Sequence, residues 1–226
     1  MSRLRVLFAL LAMVLAATPA ARAGEILDRI VATVNGHIIL QSDWEEALHY
    51  EAFVNGSSAE QLPASERKAA LDRLIDQELL EEQMRASDFR HATDEEIQRR
   101  IAEIREHHAE AATDAGWQTV LSRYGFSEKD LKHHVSRELD LMRLVDARLG
   151  PNVSVDARSI ESYYNQELLP QLRQSGAKEV PLAEVTPKIK EILTQQKLNE
   201  LLVAWLQNLR SGSEIQTEVD PRGNLR

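Results

Sequence analysis

Histidines and carboxylates are the side chains that most readily move protons or hold metals near neutral pH. This chain carries both as doublets: His107-His108 and His133-His134, with Glu45-Glu46, Glu81-Glu82 and Glu95-Glu96. Adjacent residues of a helix point about 100° apart, so a single histidine doublet cannot chelate from one helix face. A metal site would need both doublets to meet across two helices. Solvated helix faces are the simpler expectation, and no metal ligand is assigned. The acidic doublets read as solvated faces and helix-start charges rather than catalytic dyads.

Other chemistries meet the same end. The glycines are never closer than nine positions apart, which excludes the phosphate-cradling patterns G-x-x-x-x-G-K and G-x-G-x-x-G. No nucleotide is expected. Neither H-E-x-x-H nor G-x-S-x-G occurs, and with no cysteine there is no disulfide, thiol nucleophile or iron–sulfur cluster. No catalytic residue and no cofactor are expected. The remaining cluster is aromatic: Trp117, Tyr124 and Phe126 fall within ten residues at a helix-to-helix corner. Large rings anchor recognition sites because they bury area at low entropic cost, and the same rings serve equally well as core.

The elements that would position these residues are mostly helical. Ile30 to Val34 and His37 to Ile39 flank Asn35-Gly36, a pair suited to a type I′ hairpin turn because both central positions need positive φ. Ser42 with Glu45 forms a capping box that starts a helix through about Phe53. A second helix runs from about Ala64 to Arg85, with Leu71, Leu74, Ile75 and Leu79 on one face. Thr93 and Glu96 form another capping box, followed by the stripe Ile97, Ile101 and Ile104. A shorter helix from about Thr113 ends at Gly125, a left-handed cap. Ser127 caps the longest stripe: Leu131, Val135, Leu139, Met142, Val145 and Leu149, stopped by Gly150-Pro151.

Beyond Pro151 a helix from Ser154 to Leu169 and a connecting loop from Pro170 to Pro181 are expected. A last helix begins between Leu182 and Pro187 and runs to Arg210, with Ile189, Ile192, Leu198, Leu202, Trp205 and Leu209 facing inward. Ile215, Thr217 and Val219 alternate as a closing strand. An isolated strand is unstable, so this strand is expected to pair with the N-terminal hairpin. The fold class is therefore mostly α, with about six or seven helices and a small antiparallel sheet joining the chain's two ends.

The N-terminus carries an export signature. Arg3 and Arg5 precede an apolar run from Val6 to Ala17, and Ala21-Arg22-Ala23 follows as an A-x-A cleavage site before Gly24. The run is shorter than the roughly 20 residues a membrane-spanning helix needs, so no stable membrane insertion is expected. Cleavage after Ala23 removes three arginines, which takes the net charge from −9 to −12 and makes nucleic acid an unfavourable partner. A periplasmic location follows.

Asp28 to Leu48, "DRIVATVNGHIILQSDWEEAL", resembles the opening of SurA-type periplasmic chaperones: strand, Val-Asn at a tight turn, strand, then Ser-Asp at a helix start. "RLIDQELLEEQMRAS" (Arg73 to Ser87), "TDEEIQRRIAEI" (Thr93 to Ile104) and "LSRYGFSEKDLKHHVSRELDLMRLV" are similar to that family's following helices. "VPLAEVTPKIKEILTQQKLNELLVAWLQNLRSGSEIQTEV" looks like its C-terminal helix and strand. The family usually carries parvulin-type prolyl-isomerase domains between these parts, whereas only Asn165 to Glu179 stand here, and no histidine follows His134.

The resemblance implies four regions: a signal peptide at 1–23, a chaperone region at 24–155, a linker in place of the isomerase at 156–180, and a completing helix and strand at 181–226. It further implies a non-enzymatic, ATP-independent holdase that binds unfolded or partly folded exported proteins of the outer-membrane type. Trp117, Tyr124 and Phe126 are the candidate client surface. A structural or adaptor subunit of an envelope complex, and less so an isomerase, are the alternatives.

Overall fold

The computed structural model describes residues 28–58, 62–87 and 89–218. The cleavage site at Ala23 and Gly24, and Val219 of the expected last strand, lie outside the described residues. Strand β1 (Ile30–Val34) and strand β2 (His37–Leu40) form the expected hairpin, with Asn35 at φ 50° and Gly36 at φ 85°. Strand β3 (Ile215–Thr217) pairs antiparallel with the other edge of β1, giving the sheet order β2-β1-β3. The two ends of the chain thus share one sheet. Asn35 reinforces the junction, since its Oδ1 accepts the Glu214 amide at 2.9 Å and its amide nitrogen donates to Glu82 at 2.7 Å.

The helices are α1 (Gln41–Asn55), α2 (Ala64–Arg85), α3 (Asp94–Glu106), α4 (Asp114–Arg123) and α5 (Glu128–Leu149). Next come α6 (Ala157–Tyr163), a π turn (Tyr164–Leu168), α7 (Leu169–Ser175) and α8 (Leu182–Ser211). With α6, the π turn and α7 counted as one continuous run, seven helical bodies stand among the described residues.

Several helix starts follow the capping chemistry in the sequence. Thr93 donates its amide to Glu96 at 2.8 Å and accepts from the Glu96 amide, and Ser127 pairs with Asp130 in the same way. The start of α1 differs. Leu40 is the cap residue, and its amide donates to Asp43 at 2.8 Å. Ser42 instead donates its hydroxyl to Asp28, so the residue expected to cap the helix tethers the strand's lead-in. The Ser42 hydroxyl holds the Asp28 carboxyl below the usual carboxylate range.

The segment expected as a loop from Pro170 is helical to Ser175, where Gly176 closes it at φ 69°. Proline cannot donate to the carbonyl four residues back and its ring crowds that turn. The π turn ends at Leu168, two residues before Pro170, with the Leu169 amide reaching the Tyr164 carbonyl, and so re-spaces the backbone where the regular ladder fails. Helix α8 starts at Leu182 with Pro187 inside it, the earlier of the two expected starts.

Two apolar clusters hold the fold. One joins the sheet to α1 and α2 through Val31, Val34, Trp44, Leu48, Leu71, Ile75 and Leu79. Trp44 is fully buried, with its indole N–H donating to the Arg67 carbonyl at 2.9 Å. The second gathers Ile97, Ile104, Trp117, Val120, Leu121, Phe126, Leu131 and Val135 around Phe53. Helix α1 serves both, one near each of its ends. Gly116 makes the turn into α4 possible: a Cβ there would stand 2.0 Å from the Glu110 carbonyl oxygen.

Candidate binding groove

Two of the long apolar stripes are only partly consumed by these clusters. Leu131, Val135 and Leu149 of α5 are buried, but Met142 of the same stripe is 55% exposed. On α8 only Ile189 is buried among the described residues; Ile192, Leu198, Leu202, Trp205 and Leu209 are half-buried. A single helix buries one face against one neighbour, so stripes this wide leave apolar surface between α2, α5 and α8.

That surface forms a groove of about 850 Å³. Its apolar lining includes Ile38 of β2, Leu74 of α2, Leu141 and Met142 of α5, and Leu198 and Leu202 of α8. Ile38 stands 56% exposed on the sheet's edge strand. Amide side chains interrupt the apolar surface: Gln77 on α2, and Gln195 and Asn199 one turn apart on α8.

Ion pairs fix the walls. Arg73 of α2 grips Glu51 of α1 through two hydrogen bonds at 2.7 and 2.5 Å, and Arg137 of α5 reaches Glu81 of α2 at 2.5 Å. His134 of α5 stacks on Tyr50 of α1 with ring centroids 4.6 Å apart, and its Nε2 lies 2.7 Å from Glu46. The Tyr50 hydroxyl donates to Glu138 at 2.8 Å, and Arg100 of α3 donates to the same carboxylate at 2.9 Å. Burial, reinforced by the Glu138 charge, pushes the Tyr50 phenol well above its ordinary range, so it remains a donor at any physiological pH.

Trp117, Tyr124 and Phe126 lie elsewhere. Trp117 is 4% exposed and Phe126 7%, both packed against Phe53 at centroid distances of 5.9 Å. The Tyr124 ring is half-buried at 5.5 Å from Phe53, and its hydroxyl donates to the Ser57 carbonyl at 2.9 Å. The corner where helices meet is where the second cluster needs its largest volumes, so the rings expected on a client surface are core. The histidine doublets are also used in packing: His108 stacks on Phe53 at 4.9 Å, as His134 does on Tyr50. No group of three or more metal-binding side chains gathers among the described residues.

Asp140 escaped the sequence reading altogether. It is the one buried charged residue among those described, 5% exposed, and accepts the Ala92 amide at 2.6 Å while lying 2.7 Å from His91 Nδ1. It ties α5 to the segment leading into α3. Its neighbour one turn on, Leu144, is buried on the same face of α5, but an aspartate beside the apolar stripe reads as a solvated charge in sequence.

No helix among the described residues is long and apolar enough to cross a membrane. The chain is 24% identical to the protein named Chaperone SurA of Pseudomonas fluorescens over 153 residues, covering 67% of this chain and 35% of that protein. It is 24% identical to Chaperone SurA of Pseudomonas putida over 194 residues, covering 84% and 44%. The chain thus spans less than half the length of these curated relatives. A family described as the SurA-like N-terminal domain matches residues 2–145, well over half of the sequence. The groove and the sheet that closes on it therefore sit in a chain that belongs to the SurA-like N-terminal domain family.

Proposed function

We propose that this protein is an ATP-independent holdase of the periplasm that binds unfolded exported polypeptides, of the outer-membrane type, in the groove between α2, α5 and α8. The observation that carries the reading is exposed apolar side chains, Ile38 and Met142, on walls held by ion pairs rather than by closure over the apolar surface. A contiguous apolar surface left open on a polar protein marks an interaction site, and flexible methionine suits partners of varied shape. Family membership and the relatives named as chaperones support the same reading. Export with cleavage between Ala23 and Gly24, and a chaperone unit that acts without an isomerase domain of its own, belong to this proposal.

The test is light scattering of a urea-denatured β-barrel protein diluted into buffer without nucleotide. Stoichiometric protein should suppress aggregation of that client and of several unrelated ones, and Met142→Glu should weaken the protection. Protection of no client, with one folded envelope protein captured instead, would transfer the groove to the adaptor reading.

A further inference from the structure

Resting on that reading, we infer that the groove selects extended segments of about seven residues whose apolar centre is flanked by lysine or arginine. The rim is acidic where it is free. Arg73 and Arg137 are consumed by Glu51 and Glu81, and Glu78 and Glu138 are matched by Arg85 and Arg100. Asp43 and Asp146 also line the groove, and neither has a cationic partner among the described residues. Glu46 faces only His134, a cation solely when protonated.

The placement of these acids sets a length. Glu46 contacts His134, so Asp43 lies about one turn of α1 before that contact. Helix α1 runs in the same direction as α5, with Glu46 against His134 and Tyr50 against Glu138, so Asp146 lies about fifteen residues of helical rise beyond Asp43, about 22 Å. An extended chain covers that span in about seven residues. Between the acids lie Leu141, Met142, Leu198 and Leu202, and the amides of Gln77, Gln195 and Asn199 offer donors and acceptors to peptide groups whatever the side chains. A second copy of this chain is the poorer occupant, because each copy carries a net charge of −9 and would bring like charge to the rim.

The experiment uses the full chain and fluorescein-labelled octapeptides that share a centre of four apolar residues, flanked on each side by two lysines, two serines or two glutamates. Fluorescence anisotropy should rank lysine above serine above glutamate, with at least about a fivefold affinity gap between the extremes, the scale of two partly exposed ion pairs. The gap should close as salt shortens the screening length from about 8 Å towards 3 Å. Asp43→Asn combined with Asp146→Asn should abolish it, asparagine being able to keep the Leu40 amide capped. Equal affinities for the three peptides would overturn the charge selection and leave the groove reading standing. No binding of any peptide, together with client protection insensitive to Met142→Glu, would overturn the groove reading itself. A dimer in sedimentation that Met142→Glu dissociates would give the groove to a second copy and overturn the inference.

Discussion

Arg210, at the end of α8, donates from Nε to Oδ1 of Asp76 on α2 at 2.6 Å, across 134 positions of sequence. Its second arm donates to the Asp72 carbonyl at 2.7 Å. Beside it Leu209 and Ile215 pack against the sheet cluster, so this corner closes the ring from the first strand to the last. Asp76 raises the Arg210 guanidinium above its already high range, so the arginine keeps its charge.

Replacing Arg210 by alanine should therefore loosen the C-terminal closure without emptying the core. With both partners partly exposed, the loss should be on the order of 1 kcal/mol, or about 2–4 °C in Tm for a domain of this size. Hydrogen exchange of the β3 amides should quicken more than that of α2. An unchanged β3 protection pattern would show that the strand holds by its own ladder.

Phe53 is the hub of the second cluster and fully buried, touching Trp117, Tyr124, Phe126 and His108. Phe53→Ala should cost about 3–5 kcal/mol by removing the ring and leaving a cavity. Trp117→Ser with Phe126→Ser should be at least as severe, because these rings are core. Thermal melts by circular dichroism check both; a double variant that melts like the parent would return the two rings to the surface.

Met142→Glu is the opposite case. At 55% exposure the side chain has little packing to lose, so Tm should shift by no more than about 2 °C. Suppression of client aggregation should fall sharply in the same preparation. A variant that protects as well as the parent would remove Met142 from the binding surface.

The start of α3 should respond to acid. The Thr93 amide, aided by the Arg143 guanidinium, holds Glu96 at a pKa of about 2, below its ordinary 4.5. A depressed carboxylate contributes stability above the unfolded value and loses it as pH falls through the folded value. Glu96→Gln should thus lower Tm by a few degrees at pH 7, with the difference shrinking between about pH 4.5 and 2. A difference as large at pH 2 as at pH 7 would mean that shape rather than charge carries the cap.

What the sequence determined is what short-range chemistry dictates. Asn35-Gly36 had to turn because both positions take positive φ, and Thr93 with Glu96, and Ser127 at the head of α5, had to start helices because free amides need acceptors. The closing strand was legible because an unpaired strand has nowhere else to go, and β3 does lie on β1. Family likeness was legible in the order of those same elements.

Tertiary structure decided which apolar residues face protein and which face solvent. Trp117 and Met142 are equally good core side chains in isolation. Trp117 is covered because α1 lays Phe53 against it, whereas Met142 stays open because α8 stands off from that turn of α5 and contributes Leu198 and Leu202 to a groove instead. Helical periodicity fixes the direction a side chain takes from its own axis. It carries no information on whether another helix waits there, since that depends on contacts between residues such as Arg210 and Asp76, far apart in the chain.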